Sequence, residues 1–323
     1  MKRREFLKGL GVLGGAGVVG SVPGAEARAA QTASGFKTKH MILIINGNGA
    51  RKLDYYEQTA TGPNGRRMAD AGTVCTEDHN DTIFNHGFMY TELLMGQDIS
   101  VNIPVYPTIP HYIRNVHNDE ATQYWYVQGT SMYRAWRFSD KYLTTHPDFG
   151  IQTRPVSLTT QAVFYEENKR SPAEIVRQNF PDDMDVTSSE RKRLEEFIEG
   201  HLDARDYTPS TKRPTLYRTP FLEEQQALHM VPKILAAFKP RLIILQINGH
   251  DTGHGGGSLN LEETGYDDYL KVINYTDELL GNLLDFIEGD PYFSQNTAIV
   301  MRPECGRDDE TTIYHELPHS PGY

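Results

Sequence analysis

Three short, unbroken apolar runs constrain this chain most, because each is brief and each ends in residues that turn. Met41–Ile45 gives way to Asn46-Gly47-Asn48-Gly49, Leu242–Ile247 to Asn248-Gly249, and Thr297–Met301 runs into Pro303. Continuous rather than alternating hydrophobicity marks a strand covered on both faces, and such strands belong to parallel sheets with helices on either side. The turn residues that follow each run predict three polar loops delivered by three buried strands.

Helical patterns lie between the runs. Ser171-Pro172-Ala173-Glu174 and Thr187-Ser188-Ser189-Glu190 are capping boxes, and Leu194, Phe197, Ile198 and Leu202 follow the second at helical spacing. A longer helix is predicted from about Tyr266 to Glu288, with Tyr269, Ile273, Leu280, Leu284 and Ile287 on one face and Gly289-Asp290-Pro291 as its stop. Strands alternating with amphipathic helices predict an α/β three-layer sandwich, a largely parallel sheet flanked by helices, as a single domain over 30–323. Function in such sheets gathers in the loops beyond the carboxyl ends of the strands. The stretch from about 101 to 160, rich in Tyr, Trp, Pro and Thr with a strand-like Gln123–Val127, reads as a cap on that edge or an interaction surface.

The first 29 residues read as an address. Twin arginines, Arg3-Arg4, precede a glycine-rich, weakly apolar stretch from Gly9 to Val22, and Ala27-Arg28-Ala29 offers small residues for cleavage. This is the pattern of a twin-arginine export signal, so the mature chain is expected, folded, in the periplasm or on the extracellular face. No later segment is apolar enough to span a bilayer. Removing the signal takes away five basic and two acidic side chains and moves the formal charge from −11 to −14. Such an acidic chain is not built to hold nucleic acid, which needs a basic surface. Cys75 and Cys305 are the only cysteines, and an oxidising compartment would let them pair.

The loops carry the chemistry-bearing residues. His250 and His254, four apart with Asp251 between them, suit a metal site, and either His315 or His319 offers a third imidazole. The same histidines also read as the lining of a hydrated loop. Glu304 and Cys305 offer a carboxylate and a thiolate, both zinc ligands, and Arg307 suits an anionic group or an ion pair with Glu304, Asp308 or Asp309. Thr91 opens a helix-like turn that closes at Gly96, where backbone N–H groups favour an anion beside its hydroxyl; from these residues alone it reads more readily as an ordinary N-cap. Gly47-Asn48-Gly49 lacks the third glycine and the helix start that a dinucleotide loop needs.

Taken in order, the strand ending in Asn46-Gly47, Asn85-His86, Thr91-Glu92-Leu93-Leu94-Met95-Gly96, His250-xxx-His254, and Asn296-Thr297 through Gly306-Arg307 resemble the alkaline phosphatase and sulfatase superfamily. The resemblance runs from about Lys37 onward and is loose in the middle third. It implies a nucleophile between two metal ions held by Asp and His. The first ligand Asp falls on Asn46 and the nucleophile on Thr91. The Asp-x-x-x-His pair falls on His250 and His254, Asp-His-Gly on Glu304-Cys305-Gly306, and the last His on His315 or His319. Asn46 keeps an oxygen but lacks the charge that holds a divalent cation, so the resemblance implies one zinc ion, two, or none. Two functions follow as expectations. One is a non-catalytic subunit of a periplasmic or surface assembly, with a protein partner. The other is a metal-dependent hydrolase of an anionic phosphate or sulfate ester, with Thr91 attacking.

Overall fold

In the computed structural model the sheet has five strands, all parallel, in the order β3-β2-β4-β1-β5. The structure describes residues 38–46, 62–74, 107–117, 119–128, 156–159, 187–200, 221–247 and 266–303. The strands are β1 (His40–Asn46), β2 (Tyr124–Gln128), β3 (Val156–Thr159), β4 (Leu242–Ile247) and β5 (Thr297–Pro303). The helices are α1 (Pro63–Ala71), α2 (Ile109–His117), α3 (Ser188–Glu199), α4 (Phe221–Phe238), α5 (Tyr266–Gly289) and α6 (Pro291–Asn296). This is an α/β fold with a parallel sheet flanked by helices, and the three apolar runs are β1, β4 and β5, side by side.

Topology explains which helix covers which face. The chain steps one way across the sheet from β1 to β2 to β3 and returns the other way through β4 to β5. Right-handed crossovers running in opposite directions cover opposite faces, and α2 keeps to this, while α1, in the same crossover as α2, packs against α5 instead. Accordingly, Ile42 and Ile44 of β1, Trp125 and Val127 of β2, and Ile243 and Leu245 of β4 join one core cluster with side chains of α3, α4 and α5. The other face buries Leu43, Ile45, Tyr124, Tyr126, Leu242 and Ile244, against which Ile113 of α2 packs.

Local chemistry sets the helix ends. Thr187 caps α3 through the expected box: its Oγ1 accepts from the Glu190 backbone N–H at 3.2 Å, and Glu190 Oε2 accepts from the Thr187 N–H at 2.9 Å. Leu194, Phe197 and Ile198 are buried as the spacing predicts; Leu202 and the Ser171 box lie outside the described residues. On α5, Ile273, Leu280, Leu284 and Ile287 are buried, while the side chain of Tyr269 is outside the description. Asp290 stops α5 and caps α6 by accepting from the backbone N–H groups of Tyr292 and Phe293. Trp125 ties layers together: its ring meets Phe197 of α3 at 6.1 Å and Phe238 of α4 at 5.0 Å, and its indole N–H donates to Thr122 O.

The stretch 101–160 contributes to the sheet itself. Its described part supplies β2, buried along its whole length, with β3 beside it and α2 over one face. Tyr and Trp stand there because a central strand needs large side chains on both faces. Residues 129–155, where a cap would have to lie, are outside the described residues.

Candidate functional site at the carboxyl edge

Register decides what meets at the carboxyl edge. Asn46, the last residue of β1, pairs with Ile247 of β4 on one side and with Pro303 of β5 on the other. The sequences that leave these three neighbouring ends are Gly47-Asn48-Gly49, Asn248-Gly249-His250 and Glu304-Cys305-Gly306. The crossovers that follow β1 and β4 run in opposite directions, the arrangement at which open parallel sheets place their sites. Thr91, His250, Asp251, His254, Glu304, Cys305, Arg307, His315 and His319 all lie outside the described residues, as does Cys75. Among the described residues no three His, Cys, Asp or Glu side chains gather as a metal site would require.

Asn46 stands in register with Ile247 and Pro303, and its neutral amide carries no charge to offer a divalent metal. Zinc takes thiolate, imidazole or carboxylate donors. No step through a metal is derived for this strand end.

α1 and α5, the described helices that follow β1 and β4, are joined by one device. α1 receives the chain from the β1 loop, and its N-cap, Gly62, makes no side-chain cap bond. Asp277, buried on α5, supplies the cap from across the fold. Its carboxylate accepts from the backbone N–H of Gly65 at 2.7 Å, from the Asn64 N–H at 3.0 Å, and from Asn64 Nδ2 at 2.9 Å. A carboxylate on helix N-terminal N–H groups is a strong, charge-assisted arrangement. One turn along α5, Gly281 leaves room for this contact, since a Cβ there would stand 2.6 Å from Asn64 Nδ2. Arg67 then reaches Asp285 at 2.7 Å and Glu288 at 2.5 Å, pairs that are exposed and add little. α1 is thus fixed to α5.

One row below the edge, on the face covered by α2, polar side chains replace apolar ones. Gln128 of β2 pairs in register with Gln246 of β4, which pairs with Ile45 of β1, which pairs with Arg302 of β5. Both glutamines are buried, and the buried hydroxyl of Tyr126 donates to Gln246 Oε1. Toward the other end of that face, Tyr124 donates to Asp119 at 2.9 Å, and burial, then this bond, push its phenol well above the ordinary value. His111 opens α2 in the manner of a capping box: the Thr108 backbone N–H donates to its Nδ1 at 3.1 Å, so the ring proton sits on Nε2. A buried amide interrupting an otherwise apolar run, as in Leu-Ile-Ile-Leu-Gln-Ile, is the signal that could have found this row.

Neither the scan against protein-family models, nor the search of curated proteins, nor the search of solved structures found a match.

Proposed function

We propose that this chain is a degenerate member of the alkaline phosphatase and sulfatase superfamily that serves as a non-catalytic subunit of an exported assembly. The observation that carries the proposal is Asn46: it ends the strand between β4 and β5, where the superfamily places a charged ligand, and it is neutral. The strand and loop order persists around it, with Thr91 and His254 at their positions in sequence, while Asn46, His250, Glu304 and Cys305 depart in type. Loss of ligand type with retention of framework is what relaxed catalytic demand produces. The twin-arginine leader adds a reason for a partner, since that route carries folded and pre-assembled cargo.

An assay of the mature protein against aryl phosphate and aryl sulfate esters, with zinc supplied and with Thr91→Ala alongside, tests this reading. No turnover above the Thr91→Ala background is expected. Turnover that Thr91→Ala abolishes would establish the ester hydrolase instead, with Thr91 as nucleophile.

A further inference from the structure

The opposite, amino-terminal end of the sheet carries a cluster that the carboxyl edge does not use. Lys39 enters β1 with its backbone N–H donated to Asn296 O at 2.9 Å. Lys239 closes α4, donating its N–H to Leu235 O at 3.0 Å, and does so with φ 48°, a left-handed conformation usually left to glycine. Pro240, next in the chain, accepts the Nδ1–H of buried His40 at 2.6 Å, and Tyr292 donates its hydroxyl to His40 Nε2 at 3.0 Å. The Tyr292 ring is thereby held in place, and both lysines come over it: the Lys39 ammonium at 5.2 Å and the Lys239 ammonium at 4.9 Å from its centre.

One ring thus gathers two like charges, no farther apart than the sum of those distances. Neither ammonium has a carboxylate within ion-pair distance among the described residues, whereas Arg67, Arg193 and Arg241 each have one. In a chain with 43 acidic residues against 32 Lys and Arg, an unneutralised pair is a marked local reversal of sign. Tyr292 itself is 36% exposed, so the ring and both ammonium groups are open to a partner.

We propose that Lys39, Lys239 and Tyr292 form a docking surface for an acidic segment of a partner protein. Charge complementarity selects the occupant: carboxylates answer the two ammonium groups, and the tyrosine supplies a rigid aromatic anchor of the kind that dominates interfaces. A small inorganic anion would gain nothing from the tyrosine ring. The proposal rests on the reading of the chain as a subunit of an assembly and names the surface that would serve it.

Fluorescence anisotropy of the mature chain with a labelled, glutamate-rich peptide tests it. Saturable binding is expected, weakening with salt and falling roughly tenfold in the double variant Lys39→Glu, Lys239→Glu, the size of two exposed ion pairs lost. Lys192→Glu, a charge reversal at an exposed residue of α3 that is no part of the proposed surface, is expected to bind as the parent does. Matched thermal unfolding checks folding, and Lys39→Gln, Lys239→Gln replaces the double variant if reversal impairs it. Absence of peptide binding, equal binding by the double variant, or equal loss in Lys192→Glu overturns the proposal. Displacement of the peptide by inorganic phosphate, beyond that by chloride at matched ionic strength, also overturns it in favour of a small-anion site. Ester turnover abolished by Thr91→Ala would end the non-catalytic reading without altering the outcome of this assay, so the two failures are distinguishable.

Discussion

The two faces of the sheet are built from neighbouring residues of the same strands and differ in kind. On one face, Trp125 and Val127 of β2 sink into a continuous apolar layer supplied by α3, α4 and α5. On the other, Tyr124, Tyr126 and Gln128 alternate with them, and the row at Gln128 and Gln246 is polar although buried. The difference assigns stability to the first face and leaves the second with the buried polar groups nearest the carboxyl edge. Apolar packing tolerates no gap, while buried hydrogen bonds contribute little net stability when made and cost more when broken.

The largest effect is expected where the apolar face is emptied. Trp125→Ala removes the ring between Phe197 and Phe238 and should lower unfolding free energy by about 4 kcal/mol, measured by denaturant titration. A loss below about 1 kcal/mol would mean that this face is not the principal core. Asp277→Ala should cost about 2 kcal/mol, because it leaves the N–H groups of Asn64 and Gly65 without their cap in a buried place. Hydrogen exchange should rise in α1 first, which distinguishes a lost clamp from general destabilisation.

Tyr126→Phe sharpens the comparison from the polar face. Deleting the hydroxyl that Gln246 accepts should cost about 1 kcal/mol, several-fold less than Trp125→Ala one residue away. The smallest effect is electrostatic. The pKa of His40 lies below its ordinary value of 6.5, chiefly through burial, with Lys39, Lys239 and Arg241 adding repulsion and the Pro240 carbonyl opposing them. Its other neighbour, Tyr292, donates a hydroxyl to Nε2, and Asp119 is engaged by Arg241. The folded state therefore binds fewer protons than the unfolded chain, so the His40 contribution is intact above pH 6.5 and declines as pH falls below it. His40→Gln should flatten the stability profile between pH 6.5 and about 5, above the range where carboxylates dominate.

What the sequence made legible follows from the range over which each signal acts. β1, β4 and β5 were readable because continuous apolar runs are local, and the Thr187 box and the stop at Gly289-Asp290 were readable because caps are set within a few residues. β3 was not, since Val-Ser-Leu-Thr is too short to show a period, and α1 was hidden by the charged Arg66-Arg67 within it. Asp277 on the amides of Asn64 and Gly65, and Tyr292 on His40, join residues more than two hundred positions apart, and no local pattern carries such pairings. At the carboxyl edge the register of Asn46 is described, while the residues expected to share its chemistry, from Thr91 to His319, lie outside the described residues.

The metal content of the mature protein, purified without chelator and counted per chain by mass spectrometry beside Asn46→Asp, tests the central claim most directly. A neutral Asn46 predicts that the wild-type chain holds no stoichiometric pair of zinc ions, and that restoring the carboxylate raises the zinc retained. A pair of zinc ions in every wild-type chain, with Asn46→Asp making no difference, would contradict it.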